Sequence, residues 1–509
     1  MGALLIMKCF QTILVRDPID RWGRLVVVTL SLVALSGCST TPRPDLSLEN
    51  QSLPESWSNG LGLEDAPIAP ELISIQTWWN QFEDPVLTAL VEEALRNNPD
   101  LLTALSRVEQ ARAERGLEKA QLYPSVDGGI SGAGSRIRDR DTNTTSSSES
   151  YGASIDASWE IDLFGKQSRL IAASEYELEV SKEDYYAAQV SLTAEVANTY
   201  LDLLSSRMQL DILNQSVASR EDTLQVAEWQ EIAGEGDVLN TQQVKVLVEQ
   251  AKAQIPSYRQ SIEEARNALA VLCGTTPALI EDLLSEEQKL PEISNEFTVG
   301  IPADVLRQRP DVRSAENQVK ASWARLTAVE KTRLPSLTLN GSIGTEAAKA
   351  SDFFDPQRIF GNLIAGLTAP IWDAGRISRS IEIQQAVLDQ SVFGYEGVVL
   401  NALVEVENAL SRINLKREEI EILERAVEAA TLAATLAEFE YEEGEEDILT
   451  VLETKRSLLG FAQSLVQSQQ DEISSYVQLY KSLGGGWSAI EGPAQAVDES
   501  NEDLNNSQS

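Results

Sequence analysis

Residues 165–239 read GKQSRLIAASEYELEVSKEDYYAAQVSLTAEVANTYLDLLSSRMQLDILNQSVASREDTLQVAEWQEIAGEGDVL, and this stretch decides the fold. Between Gly165 and Gly234 there is neither Pro nor Gly. Val196, Leu203, Leu210, Val217 and Leu224 recur at seven-residue intervals, the seam of a coiled coil. One helix of that length would run on the order of 100 Å at about 1.5 Å per residue. The segment GEGDVL, 234–239, then supplies two glycines for a reversal and Asp237 to cap a returning helix that ends near Gly274.

The same columns return 210 residues later. Val406, Ile413, Ile420 and Val427 stand in the register of Val196 to Val217, and Gly375, Gly444, Asp447 and Gly484 match Gly165, Gly234, Asp237 and Gly274. A helical hairpin over 165–274 is therefore written again over 375–484. Pro256 is expected to kink the first returning helix; its counterpart near Val466 has no Pro.

Each hairpin is preceded by a shorter helix and two strands. Helices are expected from Pro99 to Leu122 and from Pro310 to Pro335, after which the hydrophobic period changes to two. Tyr151, Ala153, Ile155, Ala157, Trp159, Ile161 and Leu163 alternate with polar or small residues, as do Leu363, Ala365, Leu367, Ala369 and Ile371 in the second copy. The spacing predicts strands at about 123–136 and 150–164, joined by a polar loop RIRDRDTNTTSSSES, and at about 334–345 and 361–373. Long strands with one apolar face suit a transmembrane β-barrel, or else a soluble sandwich whose apolar faces meet. Four strands cannot close a barrel and eight leave no channel, so a water-filled barrel needs at least three chains and twelve strands.

The 509-residue chain carries a formal charge of −38, which argues against nucleic acid or anionic lipid as the main partner. Arg21 and Arg24 precede LVVVTLSLVAL and then Ser36, Gly37 and Cys38, the form of a secretory leader over 1–37. Residues 38–80 read as an extended tether, 81–290 and 291–487 as the two repeats, and 488–509 as a disordered acidic tail. Cys273 lacks a partner for an intrachain disulfide and reads as a small buried apolar residue.

LSGC (35–38), WWNQFEDPVLTALVEEALRNNPDL (78–101), SWEIDLFGK (158–166), QIPSYRQSIEEARNALAVLCG (254–274), LRQRPDVRSAE (306–316), RLPSLTLNGSIG (333–344), APIWDAGR (369–376) and YEEGEEDILTVLETKRSLLGFAQ (441–463) occur in this order. Together they resemble the TolC-type outer-membrane factors, in the lipoprotein (NodT) branch that serves resistance-nodulation-division efflux pumps. The resemblance implies a mainly α chain with a membrane β-barrel part. Three copies would form a twelve-stranded barrel on a periplasmic α-barrel, with Cys38 lipidated and the protein in the outer membrane. It implies a passive exit duct for drugs or other small molecules, working with a periplasmic adaptor (membrane fusion) protein and an inner-membrane transporter. Alternatives are a type I protein-secretion duct and a lipid-anchored structural coiled-coil spacer. Carried over from the family, the periplasmic tip and adaptor contact falls on Gly234, Gly236, Asp237, Val238 and Leu239 and on Gly444, Asp447, Ile448 and Leu449. The family's pore constriction falls on Leu449 and Glu453. GEEDIL is more acidic than the usual tip, and the seven acids within 438–447 read either as a solvated outer face or as a pore-lining ring. The chain has no His and no Gly-rich phosphate loop after a strand, so no catalytic residue, cofactor or metal site is expected.

Overall fold

A computed structural model describes residues 41–46, 57, 75–141, 143–234, 236–284, 289–291, 302–349, 352 and 359–489. The leader, Cys38, most of the tether and most of the acidic tail lie outside these residues. In chain order the elements are α1 (Pro85–Asn97), α2 (Pro99–Ala120), β1 (Ser125–Asp139), β2 (Thr144–Ile161), α3 (Lys166–Ala233), α4 (Val238–Lys252) and α5 (Ile255–Leu272). There follow α6 (Pro277–Leu283), α7 (Pro302–Gln308), α8 (Pro310–Glu330), β3 (Ser336–Ala347), β4 (Ile359–Thr368), α9 (Arg376–Glu442) and α10 (Ile448–Ser482). The fold divides into two units, one over 1–45, 112–177 and 319–391 and the other over 46–111, 178–318 and 392–509.

The first unit holds an antiparallel sheet in the order β1-β2-β3-β4. Its register sorts side chains onto two faces, because directly paired residues point the same way. Rows such as Gly128, Ile155, Ile343 and Gly361, or Trp159, Leu339 and Ala365, make one face apolar. The opposite face carries Ser125, Ser158, Asn340 and Ile364 in one row and Asp127, Asp156, Ser342 and Asn362 in the next, so it is mostly polar, with Ile137, Phe360 and Ile364 its large apolar side chains. Ile130, Leu363 and Leu367 are exposed on the apolar face.

The strand boundaries differ from the expectation at both ends of the sheet. The stretch 136–150 is not a loop: β1 and β2 stay paired from Ser125↔Ser158 out to Asp139↔Thr144. The ladder is held by main-chain groups, and the stretch has no Pro or Gly to interrupt it, so polar side chains on both faces do not end it. At the other end the strands stop early, at Ile161 and Thr368 rather than 164 and 373. Asp162 turns away to accept from the Gln167 and Ser168 amides, and Asp373 accepts from Gly375 and Ile377, so each Asp starts the following long helix instead of extending a strand.

In the second unit the core gathers around Trp78, whose ring stacks on Tyr480 at 5.2 Å and meets Trp79 and Phe82 edge-on. Asp84 caps α1 through the Val86 and Leu87 amides and accepts the Tyr200 hydroxyl at 2.8 Å, which ties α1 to α3. The two repeats fasten the ends of their returning helices in the same way. Asn98 donates to the Leu272 carbonyl at 2.9 Å, and Arg309, buried and paired with Asp311 and Glu405, donates to the Ser482 carbonyl at 2.6 Å. A Cβ on Gly274 would stand 2.2 Å from the Asn97 carbonyl oxygen, so this closure requires glycine. Cys273 is buried, and burial together with Glu93 pushes its thiol up to about 12.

The seam residues Val196, Leu203, Val406 and Ile413 are fully buried and Val217 nearly so. α4 and α5 are separate helices broken at 253–254, because Pro256 has no N–H for the Lys252 carbonyl, whereas α10 runs unbroken for 35 residues. Lys455 of α10 is 7% exposed; its ammonium donates to Ser219 Oγ at 2.8 Å and Thr223 Oγ1 at 2.9 Å on α3 and pairs with Glu438 of α9. Three helices from both repeats thus share one buried cation. Lys455→Ala is expected to destabilise the fold by about 3 kcal/mol, since it leaves a cavity, takes the donor from Ser219 Oγ and removes the cation that pairs with Glu438. Lys455→Met fills the stem and costs less, and thermal melting of the purified protein distinguishes the two.

Glu183 on α3 is 3% exposed and pairs with Arg313 of α8 at 2.5 Å, while its other oxygen has no protein partner. Burial outweighs the Arg313 charge and raises its carboxyl to about 7, with Glu179 and Asp184 adding repulsion and Lys182 attraction. The native state therefore holds this proton more tightly than the unfolded chain does, and stability falls as pH rises from the ordinary carboxylate range to about 7. Glu183→Gln is expected to raise the melting temperature at pH 8 more than at pH 5; an equal change at both would contradict this assignment.

Candidate functional site: the hairpin ends

The turns joining α3 to α4 and α9 to α10 belong to the second unit and begin alike. Gly234 and Gly444 take φ values of 79° and 76°, the left-handed conformation that ends a helix, and their amides reach back to Glu231 and Tyr441. Asp237 Oδ1 then accepts the Leu239 amide at 3.1 Å, and Asp447 Oδ1 accepts the Leu449 amide at 3.4 Å, so each returning helix starts from an aspartate cap.

Beyond the caps the copies diverge. The Gly236 amide donates to the Gln230 carbonyl at 2.9 Å, and a Cβ there would lie 2.9 Å from the Glu231 nitrogen. Its counterpart is Glu446, whose carboxylate accepts the Thr450 hydroxyl at 2.7 Å. Val238 and Leu239 are 57% and 60% exposed, whereas Ile448 is fully buried with Val244, Val248, Val451 and Leu452. Ile448 is thus withdrawn from the expected contact surface: it packs the chain's own core and is closed to a partner. Leu449 remains half exposed. Tyr441 links the two turns by donating its hydroxyl to Gln230 Oε1 at 2.6 Å, and burial followed by Asp447 holds its phenol above the ordinary range, which keeps it a donor.

Leu449 and Glu453, one helical turn apart, line a groove of about 680 Å³ between α4 and α10. Leu239, Gln242, Gln243 and Val246 face Leu449, Leu452, Glu453 and Arg456 across it, and each of these four pairs occupies the same column of the two repeats. Glu453 pairs with Arg456 at 2.6 Å, and both side chains are mostly exposed. Sequence reasoning missed Val246 and Arg456, although their equivalence at the 210-residue offset, on the face of Leu239 and Leu449, was the signal that could have found them. The acidic run does not act as a unit. Glu438 pairs with Lys455, Glu446 accepts from Thr450, Asp447 caps α10, and Glu442, Glu443 and Glu445 are exposed.

With this geometry in hand, comparison with known proteins is specific. The toluene efflux pump outer membrane protein TtgI of Pseudomonas putida is 30% identical over 465 residues, covering 90% of this chain and 97% of the relative. The pyoverdine export outer membrane protein OpmQ of Pseudomonas aeruginosa is 31% identical over 476 residues, with 90% and 97% covered. The solved outer-membrane channel OprN superimposes with a TM-score of 0.79 at 29% identity, covering 88% of this chain and 99% of that one. The model of the outer membrane efflux protein family matches residues 90–275 and 301–485, one segment for each repeat. The chain belongs to the outer membrane efflux protein family and adopts its TolC-like channel fold in the outer membrane.

Proposed function

We propose that three copies of this chain close a twelve-stranded barrel and serve as the exit duct of a tripartite efflux pump, passively conducting small molecules that an inner-membrane resistance-nodulation-division transporter and a periplasmic adaptor deliver. The observation that carries this reading is the open sheet. Among the described residues β1 and β4 each have a partner strand on one side only, and one face of the sheet is apolar while the other is mostly polar. In hydrocarbon such edges are tolerated only when paired, so the sheet calls for neighbouring chains on both sides. Three chains supply twelve strands and an interior lined by Asp127, Asp156, Ser342 and Asn362 from each.

The tip residues Gly234, Gly236, Asp237, Val238 and Leu239, with Gly444, Asp447 and Leu449, are proposed to meet the adaptor, and Leu449 with Glu453 to narrow the pore. Cys38 is proposed to carry the lipid. Thr41, three residues further along the sequence, donates its hydroxyl to Glu330 at 2.5 Å, and its main-chain carbonyl accepts the Trp323 indole N–H at 3.0 Å. Glu330 ends α8 just before β3, at the end of the sheet that joins the helices, which suits an anchor in the inner leaflet. Relatives named for toluene and for pyoverdine are equally similar to this chain, so the duct is read as leaving the choice of cargo to its pump.

Reconstitution into planar bilayers tests the reading. Stable stepwise conductance is expected from the purified oligomer, and silence from a correctly assembled oligomer would favour a structural spacer. A Val238→Asp/Leu239→Asp variant is expected to conduct like the wild type in bilayers yet to fail in restoring drug efflux to cells lacking their own duct. Full restoration would remove the tip from the adaptor interface.

A further inference from the structure

The pairing of β1 with β2 beyond the apolar band places a group of arginines that sequence alone assigned to a loop. On the apolar face, rows run from Ile161, Leu337 and Leu367 at one end to Gly132, Tyr151 and Ala347 at the other. Ten residues of strand span about 33 Å, or about 24 Å of height at a tilt of about 45°, which matches the lipid-facing band of an outer-membrane barrel. Tyr151 closes that band where an interfacial aromatic belongs. The same face of β1 continues through Gly134 to Arg136 and Arg138, opposite Ser147 and Thr145. Arg136 therefore stands about 10 Å above Tyr151 and Arg138 about 5 Å higher, at the depth of lipid headgroups.

The pleat separates the charges of RIRDRD. Arg136 and Arg138 share the lipid-facing side, Asp139 lies on the opposite side, and Arg140 and Asp141 enter the turn. Arg138 donates to Asn143 Oδ1 at 3.3 Å, and among the described residues neither arginine has an ion-pair partner. The acid on this face is Glu149, opposite Gly134, which accepts the Tyr151 hydroxyl at 3.3 Å. In a chain with 79 acidic and 41 basic residues, a basic group that faces lipid is the reverse of the general balance. Two guanidinium forks about 7 Å apart along one strand suit tetrahedral oxyanions, and the adjoining apolar band suits the acyl chains of the same molecule.

We propose that Arg136 and Arg138 form a binding site for the phosphate groups of an outer-leaflet glycolipid. The proposal rests on the barrel reading above and adds a ligand to its outer surface. Its test uses the full-length oligomer in detergent, with lipid binding counted by native mass spectrometry for bis-phosphorylated lipid A, dephosphorylated lipid A and inorganic phosphate. Wild type is expected to retain the phosphorylated lipid and neither of the other two. Arg136→Ser/Arg138→Ser is expected to raise the half-saturating lipid concentration about 30-fold, and Glu149→Gln, which removes the opposing charge, to lower it about fivefold. Equal binding by the double variant, equal binding of the dephosphorylated lipid, or no gain in Glu149→Gln would overturn the site. The Glu149 variant keeps the test decisive if the double variant fails to assemble. Loss of bilayer conductance in wild type would indict the barrel itself, whereas a conducting wild type that binds no phosphorylated lipid would indict only this proposal.

Discussion

Main-chain hydrogen bonding along two sheet edges is the constraint from which the rest follows. Among the described residues β1 and β4 are the edge strands, with a partner strand on one side only, in a sheet whose apolar side is suited to hydrocarbon. Water can satisfy the main-chain groups of such edges, whereas a bilayer cannot, and each one left open costs several kcal/mol. On the proposed reading, a chain with four strands is thereby committed to neighbours before any side-chain contact between subunits is considered. The duplication supplies an economical means. Each repeat contributes one β-hairpin, and the nonlocal β2–β3 pairing fuses the two into a single sheet.

Symmetry between the repeats is kept where it is structural and lost where a pore needs different surfaces. The helix ends at Gly274 and Gly484 and the caps at Asp237 and Asp447 are the same devices used twice. The tips differ in what they hide: Ile448 fills the core of the second hairpin, while Val238 at the same column is open. The returning helices differ as well, with Pro256 breaking one and Lys455 fastening the other to α3 and α9. The groove between them pairs Gln243 with Glu453 and Val246 with Arg456, so two columns that are neutral in the first copy are charged in the second.

Much of this was legible in the sequence because the signals are local and repeated. Heptads without Pro or Gly specify long helices, positive-φ glycines their ends, and a change of period the strands. What escaped depends on long-range pairing. The hairpin 136–150 looked like a loop because its side chains are polar, yet the ladder is made by backbone, and only the register reveals which side of the sheet its arginines take. Lys455 sits in a pattern of exposed charges and is buried only because Ser219, Thr223 and Glu438 converge on it from two other helices. Glu183 is likewise indistinguishable in sequence from the solvated glutamates around it. Of the expected tip residues, Ile448 was misplaced because equal columns in a duplication need not have equal exposure.

Cysteine cross-linking between β1 and β4 probes the commitment to neighbours most directly. With single cysteines placed along 125–135 and along 359–367 of the same chain, oxidation in native membranes is predicted to give covalent dimers and trimers at a restricted set of pairs that fixes the intersubunit register. A folded, membrane-embedded protein that yields only intrachain bonds between β1 and β4 would show that the sheet closes on itself, and would contradict the account.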